Sequence, residues 1–229
     1  MKARISEIFQ SIQGEGKYVG IQQVFVRFFQ CNMRCVWCDT PHSIGDTACR
    51  YAEYSLEELL GAVQFLKGGC HSVSLTGGEP LLQKDFLQTL LPHLKESGMG
   101  VYLETNGILP QELEAVIDDV DIIAMDFKLP SSTQCRPYWQ EHEAFLKKAR
   151  EKDVFIKAVI SSGTLQEDIA ASVELAAGID PDIFFILQPN YFDRHNGVLQ
   201  KCREYQDYCL KYLRHVRIVP QMHKVWKVR

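Results

Sequence analysis

Short β-branched and aromatic runs punctuate the chain at regular intervals. Residues 22–29 (QQVFVRFF), 72–76 (SVSLT), 100–104 (GVYLE), 121–126 (DIIAMD), 154–160 (VFIKAVI), 183–188 (IFFILQ) and 216–219 (VRIV) each have the length and make-up of a strand. Helical spacing fills the gaps between them. Ser55-Leu56-Glu57-Glu58 is a capping box, after which Leu56, Leu59, Leu60, Val63 and Leu66 fall on one face. Thr164-Leu165-Gln166-Glu167 repeats that start signal ahead of Ile169, Val173 and Ala176. Residues 83–97 carry a stripe of Phe86, Leu87, Leu90, Leu91 and Leu94, with Pro92 expected to kink or shorten the helix; residues 137–152 and 195–213 read as two more helices. Strict alternation of strand and helix predicts parallel strands with crossover helices outside. About six β/α units are too few to close an eightfold barrel, so the expected fold is α/β, an open, partial (β/α)6 barrel. No repeat or composition shift divides the chain, which is expected to be one domain over residues 1–229, with 41–54 and the tail 220–229 as decorations.

Polar residues collect where the strands end: Thr76-Gly77-Gly78-Glu79-Pro80, Glu104-Thr105-Asn106-Gly107, Asp126-Phe127-Lys128 and Gln188-Pro189-Asn190. In barrel-like α/β folds that end faces the active site, so these clusters should surround one mouth. Paired glycines let main-chain groups approach a ligand closely, and a carboxylate beside them can receive an amine. Arg27 shares a strand face with Phe25 and Phe29, opposite Val24, Val26 and Phe28. It is either an internal fork for a carboxylate or phosphate, or an edge-strand arginine with its stem over apolar neighbours. Gln13-Gly14-Glu15-Gly16 lacks the spacing of a dinucleotide loop, and a strand follows it. It is a plain hairpin, or a loop that folds over a substrate.

Composition narrows the function classes. Hydrophobic residues are 46%, charged residues 24% and the net charge is −4, which argues against a basic nucleic-acid-binding domain and against a disordered chain. The opening MKARISEIFQ lacks a signal-peptide pattern and no apolar run is long enough to span a bilayer, so a cytoplasmic protein without direct nucleic-acid or membrane partners is expected. Of the eight cysteines, Cys31, Cys35 and Cys38 are clustered, whereas Cys49, Cys70, Cys135, Cys202 and Cys209 are scattered. That distribution suits reduced thiols plus one metal site. Structural zinc normally takes four protein ligands, and His42 would complete a C-x2-C-x3-H set; a four-iron cluster on three cysteines instead leaves one iron without a protein ligand. Spacing alone leaves both open.

Cys31-Asn32-Met33-Arg34-Cys35-Val36-Trp37-Cys38 resembles the C-x3-C-x2-C motif of radical S-adenosylmethionine (SAM) enzymes, and GGEP at the next strand end resembles their SAM-amine motif. A narrower resemblance covers nearly the whole chain: IFQSIQGEGKYVGIQQVFVRFFQCNMRCVWCDTP, SLTGGEPLLQ, ETNG, MDFKLPSS and VPQMHK are similar to the 7-carboxy-7-deazaguanine synthases. The resemblance implies a radical SAM fold, a 4Fe–4S cluster on Cys31, Cys35 and Cys38, and magnesium at the hydroxyl of Thr40. It implies SAM contacts from Trp37, Cys38, Asp39, Gly77, Gly78, Glu79, Asp126, Lys128, Ser131, Gln188 and Asn190. Substrate would meet Ile12, Gln13, Gly14, Glu15, Arg27 and Thr76, with His223 closing over it. The implied reaction contracts the ring of 6-carboxy-5,6,7,8-tetrahydropterin with loss of ammonia, by hydrogen abstraction, and uses SAM catalytically without a conventional acid or base. The implied partners are a flavodoxin- or ferredoxin-type electron donor and a second copy of the chain. The chain departs from the family pattern at Gln30, where glycine is usual, and at Asp126-Phe127-Lys128, where a Ser-Pro-Lys type segment is usual. The rival expectations are another small radical SAM enzyme, such as a glycyl-radical activase, and a zinc-binding module using Cys31, Cys35, Cys38 and His42.

Overall fold

The computed structural model describes residues 1–46 and 50–228. Cys49, expected as a reduced thiol, lies outside the described residues, as do the rest of 47–49 within the expected decoration and the last residue of the tail. The described chain builds one nine-stranded sheet from β1 (Ala3–Ile12), β2 (Gln22–Phe28), β3 (Ala52–Tyr54), β4 (Ser72–Gly77), β5 (Gly100–Thr105), β6 (Ile122–Phe127), β7 (Asp153–Ile160), β8 (Phe184–Pro189) and β9 (His215–Ile218). The order is β3-β1-β2-β4-β5-β6-β7-β8-β9, parallel from β2 onward. β3 and β9 are its two edges, so the barrel stays open as expected.

Two strands lie outside the expected set. β1 runs antiparallel to β2 and to β3, which places residues 52–54 in the sheet and not in a decoration. An irregularity between Ile5 and Glu7 breaks the side-chain alternation of β1, which explains why a period of two does not reveal it. β2 is therefore flanked on both sides, and Arg27 is not on an edge strand.

The helices are α1 (Leu56–Leu66), α2 (Lys84–Glu96), α3 (Pro110–Glu114), α4 (Pro130–Thr133), α5 (Trp139–Ala149), α6 (Gln166–Ile179), α7 (Val198–Cys209) and α8 (Met222–Trp226). Both halves of the Ser55–Glu58 capping box form at α1, a device worth about 1 kcal/mol. The second expected box does not form. Thr164 Oγ1 accepts from Ser161 N–H at 2.8 Å in the preceding turn, and the Leu165 N–H goes to Ser131 Oγ at 2.9 Å, so α6 begins without a side-chain cap. Pro92 sits inside α2, which runs on to Glu96 and buries Phe86, Leu87, Leu90, Leu91 and Leu94. Burial of that stripe outweighs the hydrogen bond that proline removes.

The main core lies between the helices and the outer sheet face, where Val24, Val26, Phe28, Val73, Leu75, Val101 and Leu103 are buried. A smaller apolar cluster of Tyr102, Ile122, Ala124, Phe155 and Ile186 fills the inner face nearer the strand starts. Polar side chains occupy the same face nearer the strand ends, and the cavity opens there.

Candidate active site

A cavity of about 390 Å³ lies at the C-terminal strand ends. Its wall on one side is the loop after β2. Gln30 enters that loop with φ +87°, a left-handed conformation in which a side chain is strained, so the position suits glycine even though the chain carries glutamine. Cys31, Cys35 and Cys38 line the cavity, each half-buried. Burial pushes the Cys35 thiol up to about 12 and raises Cys31 as well, while Lys128 acts on both in the opposite sense. Val36 N–H donates to Thr133 O at 3.2 Å and Trp37 Nε1 donates to Ser132 Oγ at 3.0 Å, which fastens the loop to α4.

Gly77 and Gly78 support the loop from beneath. A Cβ on Gly77 would lie 2.2 Å from Phe28 O, and one on Gly78 2.1 Å from Gln30 O. Gly78 N–H donates to Phe28 O at 3.0 Å and Glu79 N–H to Gln30 O at 2.9 Å. The paired glycines thus admit the backbone of the cysteine loop, and both also line the cavity. Glu79 is fully buried and turned away from the lining, with Leu81 N–H, Asn106 N–H and Thr105 Oγ1 as donors at 3.1, 2.8 and 2.9 Å. Burial moves its carboxyl up to about 7 against those donors. In this structure it braces the β4 and β5 ends. Ser131 likewise does not line the cavity; its N–H and hydroxyl both donate to Asp168 Oδ2.

The opposite wall is β1, β2 and the loop between them. Arg27 lines the cavity, its guanidinium 5.8 Å from the Phe9 ring and its Nε donating to Glu7 Oε2 at 2.9 Å. Ile12, Gln13, Gly14, Glu15 and Thr76 lie along the same wall. Gln13 Nε2 reaches Gln23 Oε1 at 3.0 Å and Glu104 Oε1 at 2.8 Å, and Thr76 Oγ1 donates to Glu104 Oε2 at 3.1 Å. Glu15 points inward. Burial would raise its carboxyl, but Lys157 and His223, with hydrogen bonds from Lys157 and Gln221, outweigh that and hold it at about 2.

The strand ends between these walls carry Asp126, Lys128, Gln188 and Asn190, all on the lining. Lys128 Nζ is 2.8 Å from Asp126 Oδ2 and 5.2 Å from the centre of the Trp37 ring. Asn190 Oδ1 accepts from Phe192 N–H at 3.0 Å and so caps its own turn. Asp126 Oδ1 and Gln188 Oε1 are buried without a hydrogen-bond partner, an arrangement that bound donor groups would satisfy.

The tail closes one side. Met222 N–H donates to Gly14 O at 2.8 Å, and Gln221 Nε2 bridges Glu15 Oε1 and Asp39 Oδ2 at 2.9 and 2.8 Å. His223 packs on Gly14, where a Cβ would meet it at 2.6 Å, and Lys224 Nζ lies 3.3 Å from Asp39 Oδ2. Thr40 Oγ1 is 3.9 Å from Cys38 Sγ and lines the cavity. Gln221, Lys224 and Lys157 were given no role by the sequence reasoning, which placed Glu104 only as part of a strand-end cluster; of the three, Lys157 carried a signal, as a charge within an apolar strand.

Among the described residues, Glu15, Asp39 and His223 form the one group of His, Cys, Asp or Glu whose ligand atoms all lie within 4.8 Å of one another. Three sulfurs gripping one zinc at about 2.3 Å would meet that spacing, and the three thiols do not. His42 Nε2 instead faces Glu7 Oε2 at 3.4 Å. The three thiols line the cavity without being gathered at a single point.

Residues 26–176 match the radical SAM superfamily. The chain is 40% identical over 243 residues to the 7-carboxy-7-deazaguanine synthase of Geobacter sulfurreducens, covering 97% of this chain and 96% of the relative. It is 34% identical over 221 residues to the enzyme of the same name from Thermoplasma acidophilum, covering 96% and 95%. In fold it is similar to the crystal structure of QueE from Escherichia coli, with a TM-score of 0.65 at 24% identity over 96% of this chain and 94% of that one.

Proposed function

Because the chain belongs to the radical SAM superfamily and, within it, to the 7-carboxy-7-deazaguanine synthases, we propose that its cavity takes 6-carboxy-5,6,7,8-tetrahydropterin beside SAM. The product is 7-carboxy-7-deazaguanine, released with ammonia. One observation carries this assignment: Arg27, a guanidinium on the inner face, shares a single cavity with three cysteine thiols.

The residues present fit the two groups that the family implies. The three thiols line one cavity, Lys128 supplies positive charge beside them, and Asp126 Oδ1 and Gln188 Oε1 are buried without partners, which bound donor groups would provide. When bound, the cluster and SAM supply hydrogen-abstraction chemistry at a substrate carbon. The chain's own part is positioning and exclusion of water, which such chemistry needs more than a tuned acid or base. Cys31, Cys35 and Cys38 hold the cluster. Trp37, Asp39, Gly77, Gly78, Asp126, Lys128, Gln188 and Asn190 surround SAM, with Glu79 and Ser131 acting behind them. Arg27 pairs with the substrate carboxylate, and the Ile12–Glu15 loop with Thr76 holds the bicyclic ring. His223 covers it.

Thr40 offers an oxygen to magnesium, which prefers oxygen ligands and keeps several waters. A small flavodoxin or ferredoxin delivers electrons, and the working form is a cytoplasmic homodimer. No described helix is long and apolar enough to cross a membrane.

Arg27→Met tests the substrate placement. Turnover of the carboxypterin should be abolished while SAM is still cleaved to 5′-deoxyadenosine. Product formation at the wild-type rate would overturn the placement.

A further inference from the structure

Lys157 is the one charged residue in the run from Val154 to Ile160, and its register partner on β6 is Asp126. The side chain is buried on the inner face and lines the cavity. Its ammonium bonds Glu15 Oε2 on the substrate side and lies 3.5 Å from Asp126 Oδ2 on the SAM side. Asp126 in turn holds Lys128, which lies over Trp37 in the cysteine loop. One buried cation therefore stands between the two walls, shared unequally by two carboxylates.

A buried ammonium is costly without partners and strongly favoured with them. Asp126 and Glu15 together hold Lys157 charged, well above the ordinary lysine range, despite its burial. Its three N–H donors cannot serve both carboxylates equally at the present distances. Substrate N–H groups that reach Glu15 take up part of that carboxylate's accepting capacity. The ammonium then shifts toward Asp126, fixes its orientation and directs Oδ1, the oxygen without a partner, at a donor of SAM.

We propose that Lys157 is a positioning residue that couples the two halves of the cavity, so that pterin binding tightens SAM binding through Glu15, Lys157 and Asp126. The inference rests on the substrate placement proposed above. Allosteric coupling of this kind is a ratio of affinities, reciprocal between the two ligands.

The test uses full-length, cluster-reconstituted protein without reductant, so that no turnover occurs. SAM affinity is measured by equilibrium dialysis with and without 6-carboxytetrahydropterin. Wild type should bind SAM at least about fivefold more tightly when the pterin is present. In Lys157→Met that ratio should fall to within about twofold of one, while affinity for SAM alone changes less than the ratio does. Lys157→Arg, which keeps the charge, should recover part of it. Glu15→Gln breaks the same link from its other end and should also flatten the ratio, which covers the case of a poorly folded Lys157→Met. With reductant added, Lys157→Met should release more 5′-deoxyadenosine per product than wild type. A wild-type ratio of one, an unchanged ratio in both Lys157→Met and Glu15→Gln, or equal behaviour of the Arg and Met variants would overturn the proposal. Turnover by wild type in the same preparation separates the two claims: no product refutes the substrate assignment, whereas product with unaltered coupling refutes only the role of Lys157.

Discussion

Gly78→Ala should disable the cysteine loop without touching a cysteine. The new Cβ would lie 2.1 Å from Gln30 O, 2.5 Å from Gln30 C and 2.9 Å from Cys31 N, all of them backbone atoms. No rotamer change can relieve such contacts, so the β4 end and the loop must separate by about 1 Å, a displacement that costs about 100-fold where it misplaces reacting groups. Separation also lengthens the Glu79 N–H to Gln30 O bond at 2.9 Å and the Gly78 N–H to Phe28 O bond at 3.0 Å. Overpacking costs about 1–3 kcal/mol and each of the two weakened hydrogen bonds about 1 kcal/mol, so about 3–5 kcal/mol of stability is at stake. Gly178→Ala is the control: it lies in α6, a Cβ there would meet nothing within 4 Å, and the change should be neutral or stabilising by up to about 1 kcal/mol. Urea melts, iron content after reconstitution and the rate of 5′-deoxyadenosine release read out the three consequences. Wild-type iron content and cleavage rate in Gly78→Ala would refute the claim that these glycines exist to seat the loop.

Gln30→Gly removes a strained positive φ worth about 1–2 kcal/mol but loses the bond from Arg4 Nη2 to Gln30 Oε1 at 2.6 Å, so stability should stay level or rise by up to about 1 kcal/mol; a clear loss in urea melts would contradict the strain. Thr40→Ala should raise the magnesium concentration needed for half-maximal turnover, and an unchanged magnesium profile would remove Thr40 as a ligand. His142, buried against Phe127 with Nδ1 unpartnered, is held down to about 4 by burial. The unfolded chain therefore takes up a proton near 6.5 that the native state refuses until about 4, so stability falls as pH drops through that window, by about 2 kcal/mol between pH 7 and 5. His142→Phe should remove that part of the pH dependence in urea melts at the two pH values, and an equally steep loss in the variant would contradict it.

Much of the fold was legible because parallel strands buried on both faces read as short apolar runs, and each observed bound from β4 to β9 lies within about two residues of its run. β1 was not legible, because the irregularity beside Ile5 shifts its side chains out of phase. The Thr164 box carried the right letters, but its hydroxyl found a nearer donor in Ser161. At the site, the cysteine loop was legible from spacing as a metal-binding segment, whereas alternation only grouped Arg27 with Phe25 and Phe29, and the resemblance, not the pattern, chose its inward direction. The glycines of GGEP were legible as a close approach, although what approaches most closely is the protein's own loop. Glu79 and Ser131 were named through the resemblance, and the hydrogen bonds that occupy both side chains in this structure are ones that no local pattern announces. Gln221 and Lys224 reach Asp39 across the whole length of the chain, a contact that only the closed tertiary structure creates.

The central claim is tested most directly by anaerobic incubation of reconstituted protein with SAM, a low-potential reductant, magnesium and 6-carboxy-5,6,7,8-tetrahydropterin. Mass spectrometry then follows 7-carboxy-7-deazaguanine, SAM and 5′-deoxyadenosine together. Multiple turnovers of product with little net loss of SAM are the predicted result. Steady 5′-deoxyadenosine release without any deazaguanine, from protein that carries its full cluster, would contradict the assignment of the substrate.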